Sequence, residues 1–484
     1  MIVVAVNHFD VDASLGHTAR DFSELTGLSL VQPLDQHFAH FQNADAGRVE
    51  RLARGFAVVK QEVADALAAD DEGAATLDAD PGASQCFAHF GQRAGPIRKG
   101  DRQIGHRSNS KVADAPEWDV AGVYLSFPFC AQKCTFCNFA SGVFPRELEE
   151  RYLAALGAEI AAFAWPWRPE TVYLGGGSPN RIRPAALRAL LDAVPGRPWR
   201  EATIEATPGA VTPELARAWR EAGIDRVSLG VQSFVQAEIA GTGRKHTATR
   251  VAEEVAVLRE AGLVNFNIDL IAGLPGQTPA TWRESLDWAE RLRAPHVSVY
   301  MLEIDEDSRL GAEILRGGSR YGARKAPAED LVAELYETAV DRLAGSGTPR
   351  YEISNFARPG FESRHNMKYW TLAPYAGFGA DAHSFDGARR RCNVESAADY
   401  VERVERGESP CAAEEAAHPA EERFFVGLRM SGGLEPSPEE WRRYEAPIRR
   451  FVEEGLLEID GAGLRLTRRG VLLSNEVFQE FLPS

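Results

Sequence analysis

The sequence predicts an α/β protein organised on a parallel sheet, with a weakly patterned extension before it and a small α+β segment after it. Three observations predict this. From about residue 119 onward, short apolar runs alternate with helical stretches of about 10–15 residues. The runs read as apolar along their length, like strands buried on both faces. About six such pairs follow one another before the pattern changes near residue 350.

In chain order, residues 1–118 are polar and poor in β-branched residues, with one helical stretch at Arg48–Ala69. That composition suggests a loosely ordered extension. A start-site artefact is a second reading: no Met lies between Met1 and Met301, so a shorter chain would need an alternative start codon such as Val112. The first strand is "VAGVYLSF", followed by a helix over Arg146–Phe163 and a second strand, "TVYLGGG" (171–177). Pro184 opens the next helix, which places Leu187, Leu190 and Leu191 on one face. Further strands are "ATIEATPG", "RVSLGVQS", "FNIDLIAGL" and "HVSVYMLE", with helices near 213–222, 249–261, 279–293 and 327–345. A doubly wound sheet and a complete or partial barrel both fit this alternation. Residues 351–411 read as an aromatic, Gly-rich, loop-like segment, and 412–484 as helix, short β ribbon and helix, a small separate domain.

Composition bounds the partners. The net charge of −16, from 54 basic and 70 acidic residues, excludes the basic face that nucleic acid requires. A small molecule or a protein is the expected partner. No apolar run approaches the ~20 residues of a membrane-spanning helix, and "MIVVAVNHFD" has neither the basic start nor the apolar length of a signal peptide. The expected compartment is the cytoplasm.

Half of the six cysteines lie in one short stretch, "YLSFPFCAQKCTFCNFASG": Cys130, Cys134 and Cys137. Thiolates at this spacing in a reducing compartment point to metal or redox chemistry. Three thiolates can hold three irons of a cubane and leave the fourth open to a ligand. Structural zinc is the alternative, but it takes four protein ligands and no fourth is near; Cys86 lies in the extension. Other candidates also fall at strand ends, where barrels of this class place their chemistry. They are "GGGSPN" (175–180), Glu205, Gln232, Arg244 with His246, and Asp269. The glycines would bring backbone N–H groups close to a ligand or simply make a tight turn. Carboxylates inside apolar strands need partners.

C-x3-C-x2-C with Phe136 before the last cysteine resembles the radical S-adenosylmethionine superfamily. "GGGSP", "IEATPG", "GVQSF", "GRKH" and "DLIAGLPGQT", in that order, resemble the branch containing oxygen-independent coproporphyrinogen III oxidase and the HemW-type heme chaperones. The resemblance covers about 119–484. It implies a partial (β/α)6 barrel and a 4Fe–4S cluster on Cys130, Cys134 and Cys137. The amino and carboxylate groups of S-adenosylmethionine would bind the open iron, and reductive cleavage would release a 5′-deoxyadenosyl radical. It further implies a cofactor site lined by Tyr124, Phe136, Gly176, Gly177, Ser178, Glu205, Gln232, Arg244 and Asp269, with Ser178 where the family usually has Thr.

Two features choose within the branch. The decarboxylating oxidases carry another cysteine two positions after the third, where this chain has Phe139. "HNMKYW" (365–370) resembles the HNxxYW signature of HemW-type proteins, which implies His365 as heme ligand and Tyr369 and Trp370 as walls. A structural loop is the plainer account of the same motif, and His383 and Cys392 are further candidate heme contacts. The resemblance thus implies a chaperone that binds heme and delivers it to respiratory or other hemoproteins, with a flavodoxin- or ferredoxin-type reductant and a homodimeric state. The alternative is an enzyme of the same branch: an oxygen-independent coproporphyrinogen III oxidase or a radical heme-modifying enzyme.

Overall fold

The computed structural model describes residues 121–482; the helix read at Arg48–Ala69, Cys86 and the alternative start at Val112 lie outside them. Its first part alternates as expected: β1 (Gly122–Phe127), α1 (Arg146–Ala162), β2 (Thr171–Gly176), α2 (Pro184–Ala193), β3 (Glu201–Ala206), α3 (Pro213–Ala222), β4 (Arg226–Gln232), α4 (Gln236–Thr242), α5 (Ala248–Glu260), β5 (Asn265–Ala272), α6 (Pro279–Arg291), β6 (His296–Met301), α7 (Arg309–Leu315) and α8 (Glu329–Gly345). β1 to β6 are parallel and neighbour one another in sequence order. A doubly wound sheet reverses its strand order at a switch point. The unbroken order therefore decides for a barrel-type winding. β1 and β6 each pair outward with later strands rather than with each other, so the barrel is partial.

The strands do not carry apolar side chains on both faces, as the sequence reading had them. They alternate. Val123, Leu125, Val172, Leu174, Ile204, Val227, Leu229, Ile268, Leu270, Val297 and Val299 join the core packed against the helices. The intervening positions are Tyr124, Thr171, Tyr173, Glu201, Glu205, Ser228, Asn267, Asp269, His296 and Ser298. Successive side chains of a strand point to opposite faces, so the second set lines the barrel interior. Short apolar–polar alternations such as "NFNIDL" hide inside runs whose composition is mostly apolar. The interior polar groups find partners: Asn267 Nδ2 donates to Ser228 Oγ at 2.8 Å and to Asp269 Oδ1 at 2.6 Å. His296 bonds Asn267 at 2.7 Å and Tyr351 at 3.0 Å, and burial keeps its imidazole neutral.

The segment read as loop-like is ordered. It forms β7 (Asn355–Ala357), α9 (Arg364–Trp370), β8 (Tyr375–Phe378), β9 (His383–Phe385), β10 (Arg389–Asn393), α10 (Ala397–Glu405) and β11 (Cys411–Ala416). β7 pairs antiparallel with β6, while β8 lies parallel to β1 and leads through β9 and β10 to β11, giving one eleven-stranded sheet. These strands are three to six residues long, too short to set a period, and α9 is buried nearly all round, so it shows no amphipathic stripe. The boundary read at 411/412 falls inside β11. Beyond it come α11 (Pro419–Gly427), α12 (Pro438–Arg443), α13 (Glu445–Glu453), the β12 (Leu457–Asp460)–β13 (Gly463–Leu466) ribbon, α14 (Arg468–Leu472) and α15 (Ser474–Gln479). Phe424, Ile448, Phe451, Leu464 and Phe481 share one apolar core with the barrel helices. Among the described residues no helix is long and apolar enough to cross a membrane.

α9 is fixed at the N-terminal ends of β1–β3 by buried charge. Glu201, the first residue of β3, accepts from the Arg364 and His365 N–H groups at 3.0 Å each, at the start of the helix. Lys368 Nζ meets Glu170 at 3.1 Å with both side chains buried, and Glu170 also holds Arg200 at 2.8 Å. Gly122 makes room, because a Cβ there would stand 3.0 Å from both His365 and Lys368. Removing one partner of a buried pair leaves the other charge uncompensated, at a cost of about 3–5 kcal/mol. Glu170→Gln is therefore expected to lower the unfolding free energy by about 3 kcal/mol, read from denaturant midpoints. A loss below about 0.5 kcal/mol would show that the pair does not hold the helix.

Candidate functional site

The cysteine loop follows β1 and closes on itself. Cys130 N–H donates to Gly142 O at 2.7 Å and Gly142 N–H to Pro128 O at 2.9 Å, sealing the base of the loop. Its far side is tied to neighbouring loops: Thr135 N–H bonds Thr242 O at 3.2 Å, Leu310 N–H bonds Thr135 O at 2.7 Å, and Gln132 Nε2 donates to Gly243 O. All three cysteines are half-buried and free of disulfides. Burial pushes the Cys130 and Cys137 thiols up, against the pull of Ser141, which faces both, and of Ser178 beside Cys130. Arg244 Nε donates to Cys134 Sγ at 3.2 Å.

The "GGGSP" turn packs directly on this loop. Gly177 N–H donates to Phe127 O at 2.8 Å and Ser178 N–H to Phe129 O at 3.0 Å. Gly176 N–H donates to Glu205 Oε2 at 3.2 Å. These three N–H groups are thus engaged by the protein, and the glycines serve close approach of two backbones. A Cβ on Gly177 would stand 2.8 Å from Phe129 O and from Pro128 C. Gly176 holds φ 107°, which glycine adopts without strain. Ser178 Oγ bonds Thr207 at 3.2 Å, linking the GGGSP turn to the residue after β3.

Around this centre the structure gathers the other candidates. Glu205 accepts from Tyr173 OH at 2.9 Å. Asp269 accepts from Ser228 Oγ at 3.3 Å, and burial, reinforced by Glu205, pushes its carboxyl up. Gln232 ends β4 with φ 71°, a strained value for a non-glycine residue. Arg244 also donates to Gly230 O. His246 bonds Val231 O at 3.1 Å and is lowered to about 4 by burial and by Arg244, so it latches the "GRKH" segment as a neutral group. Phe136 is half-buried on the cysteine loop.

The "HNMKYW" residues stand elsewhere. His365 Nδ1 bonds Thr171 Oγ1 at 2.9 Å and Nε2 bonds Tyr369 OH at 3.0 Å, so both ring nitrogens are engaged. The ring is 1% exposed, and burial, with Lys368, keeps it neutral. Arg429 stacks over Trp370 at 4.3 Å. Thr171 is the first residue of β2, so this helix sits at the opposite end of the strands from the cysteine loop. The Tyr173 ring bridges the two, 5.2 Å from His365 on one side and bonded to Glu205 on the other.

The donor set fits a cluster with a bound cofactor. A cubane takes one thiolate per iron, which suits three thiols on a self-closed loop. The Tyr124 hydroxyl is buried inside the barrel, near Glu205, with no hydrogen-bond partner among the described residues. Unsatisfied buried hydroxyls are uncommon without a ligand or water. Sequence reasoning missed Ser141, Tyr173, and the bond from Asn138 to Asp305 at 2.6 Å, which ties the loop after the third cysteine to the loop after β6. Ser141 lay in the quoted stretch; the others act through distant parts of the chain.

The radical SAM superfamily matches residues 124–289 and the HemN C-terminal domain matches 415–473. Heme chaperone HemW of Bacillus subtilis (strain 168) is 32% identical over 381 residues, covering 75% of this chain and 99% of that protein. Heme chaperone HemW of Mycobacterium tuberculosis (strain ATCC 25618 / H37Rv) is 35% identical over 381 residues, covering 75% of this chain and 94% of that one. The structure of coproporphyrinogen III oxidase (HemN) from Escherichia coli superposes with a TM-score of 0.66 at 22% identity, over 76% of this chain and 91% of that one; it shows the shared fold.

Gly177→Ala is expected to push the two loops apart and lower the iron and sulfide retained per chain by more than half. Gly241→Ala, where a Cβ meets nothing within 4 Å, is expected to leave loading unchanged. Equal loading in both variants would show that the glycine contact does not shape the cysteine loop.

Proposed function

This chain belongs to the HemW family of the radical S-adenosylmethionine superfamily, and from that premise we propose that it binds heme and delivers it to hemoproteins. The observation that supports this best is the pairing, on one barrel, of a three-thiol loop at the C-terminal strand ends with an HNMKYW helix at the N-terminal ends. In this reading Cys130, Cys134 and Cys137 hold a 4Fe–4S cluster. S-adenosylmethionine would be held by Tyr124, Phe136, Gly176, Gly177, Ser178, Glu205, Gln232, Arg244 and Asp269. Glu205 and Asp269 suit ribose hydroxyls, and Arg244 suits a carboxylate. The cluster with its bound cofactor supplies one-electron chemistry, while the protein positions it and limits water. The family also suggests a flavodoxin- or ferredoxin-type reductant, a homodimer and a cytoplasmic setting.

Heme is assigned to the α9 region, with His365 as ligand and Tyr369 and Trp370 as walls. Ligation through Nε2 requires the His365–Tyr369 bond to break, so Tyr369 would gate the ligand. The competing enzyme reading, coproporphyrinogen decarboxylation, has Phe139 where those oxidases carry a further thiol. That substitution favours the chaperone.

An anaerobic hemin titration of the cluster-loaded chain, read at the Soret band, tests both. The expected result is saturable binding, weakened about tenfold or more in His365→Ala (about 1.4 kcal/mol) and retained in Tyr369→Phe, with no conversion of coproporphyrinogen III. Binding unchanged in His365→Ala would move the ligand away from α9. Absent binding together with porphyrinogen turnover would overturn the chaperone reading.

A further inference from the structure

Beyond the cysteine loop and the barrel interior, β9 and β10 carry a second set of ligand-bearing side chains. His383 opens β9 and lies directly opposite Cys392 on β10. Directly opposed residues of paired strands present their side chains on the same face. Two residues before His383, Asp381 adopts φ 55°, a left-handed conformation that Asp tolerates better than most residues. The result is a carboxylate oxygen, an imidazole nitrogen and a thiol sulfur all within 4.8 Å of one another, with Cys392 buried and the other two half-buried. Among the described residues this is the one such grouping; the cluster cysteines do not form one.

The distances suit a single ion. His383 Nε2 stands 3.7 Å from Cys392 Sγ. With Zn–S near 2.3 Å and Zn–N near 2.05 Å, a tetrahedral angle sets the S···N separation at about 3.6 Å. A thiol–imidazole hydrogen bond accounts for that pair alone, and the thiol also lies 3.2 Å from Asn393 O. The turn before β9 brings the carboxylate into the same small volume, with the Asp381 N–H donating to Val394 O at 2.9 Å and the Ala382 N–H to Gly379 O at 3.3 Å. Imidazole with thiolate suits zinc and its neighbours, whereas an all-oxygen set suits magnesium or calcium.

We propose that Asp381, His383 and Cys392 form a binding site for one divalent transition-metal ion of the zinc class, distinct from the cysteine triplet. Three protein ligands leave one coordination position open to water or a small anionic ligand. Binding displaces the Cys392 proton, so the ion exchanges with that proton as it enters. His383 and Cys392 are held by paired strands, Asp381 lies in the turn before β9, and Ala382 between the acidic and basic ligands packs against Tyr124 and Tyr173.

The test uses the full chain with its cluster reconstituted and verified by iron and sulfide counts, incubated with zinc sulfate and desalted. About one zinc per chain is expected, with a zinc K-edge absorption shell of one sulfur near 2.3 Å and the rest nitrogen or oxygen. Cys392→Ser should remove the sulfur scatterer, and His383→Gln should lower retained zinc at least about tenfold, both with circular dichroism unchanged. If either variant misfolds, the wild-type absorption shell decides alone. No retained zinc overturns the proposal. So does a three-sulfur shell, which would place the ion on Cys130, Cys134 and Cys137, or retention unchanged in both variants.

Discussion

The buried pair of Lys368 with Glu170, beside Glu201 at the start of α9, is the constraint on which the later half of the chain depends. A lysine and a glutamate out of water persist only when geometry and further hydrogen bonds compensate their lost hydration. Burial lowers the Lys368 ammonium and Glu170 opposes that shift. Together these charges anchor a seven-residue helix that would be marginal alone. Once α9 is docked, the next residues can only run alongside β1, with Gly122 N–H donating to Pro374 O at 3.0 Å. That places β8 as the next parallel neighbour of β1 and sets the course of β9, β10 and β11.

The barrel therefore has two dissimilar ends. At the C-terminal ends of β1–β5, loops rich in glycine, thiol and charged side chains meet through backbone bonds. At the N-terminal ends a helix closes the lumen with aromatic rings and paired charges. Polar residues line the interior between them. Tyr173 reaches both ends: its ring rests near His365 and its hydroxyl bonds Glu205. A ligand at Glu205 and a displaced His365 would both be felt by that one side chain, so the two ends share a physical connection through the lumen.

The cysteine loop is held in place by backbone bonds of its own and by its neighbours. Its base is sealed by its own backbone, and its rim is tied to the loops after β4 and β6. Burial favours the protonated thiols of Cys130 and Cys137, while Ser141, Ser178 and Lys133 pull toward thiolate. A metal ion entering such a loop would displace protons that burial alone would retain.

The sequence by itself determined the six βα units, most helix limits to within a residue or two, and the gathering of Cys130, Cys134 and Cys137 on one loop after β1. Local signals suffice there: strands follow helices at regular intervals, Pro184, Pro213 and Pro279 open helices, and three thiols share one loop. Composition misjudged the strands, because Asn267, Asp269 and their counterparts alternate with larger apolar neighbours and are easily absorbed into an apolar run. Periodicity left a doubly wound sheet and a barrel both open, and the partial barrel that the motif resemblance implied is the one the strand order shows. Tertiary structure alone decided three things: the order within 351–411, the use of the Gly176–Ser178 amides by the fold, and the burial of His365. Each depends on partners distant in sequence, such as Glu201 beneath His365, Phe127 beneath Gly177 or Gly122 opposite Tyr375. A linear pattern records which residues can bond, and only the packed chain selects which bonds are made.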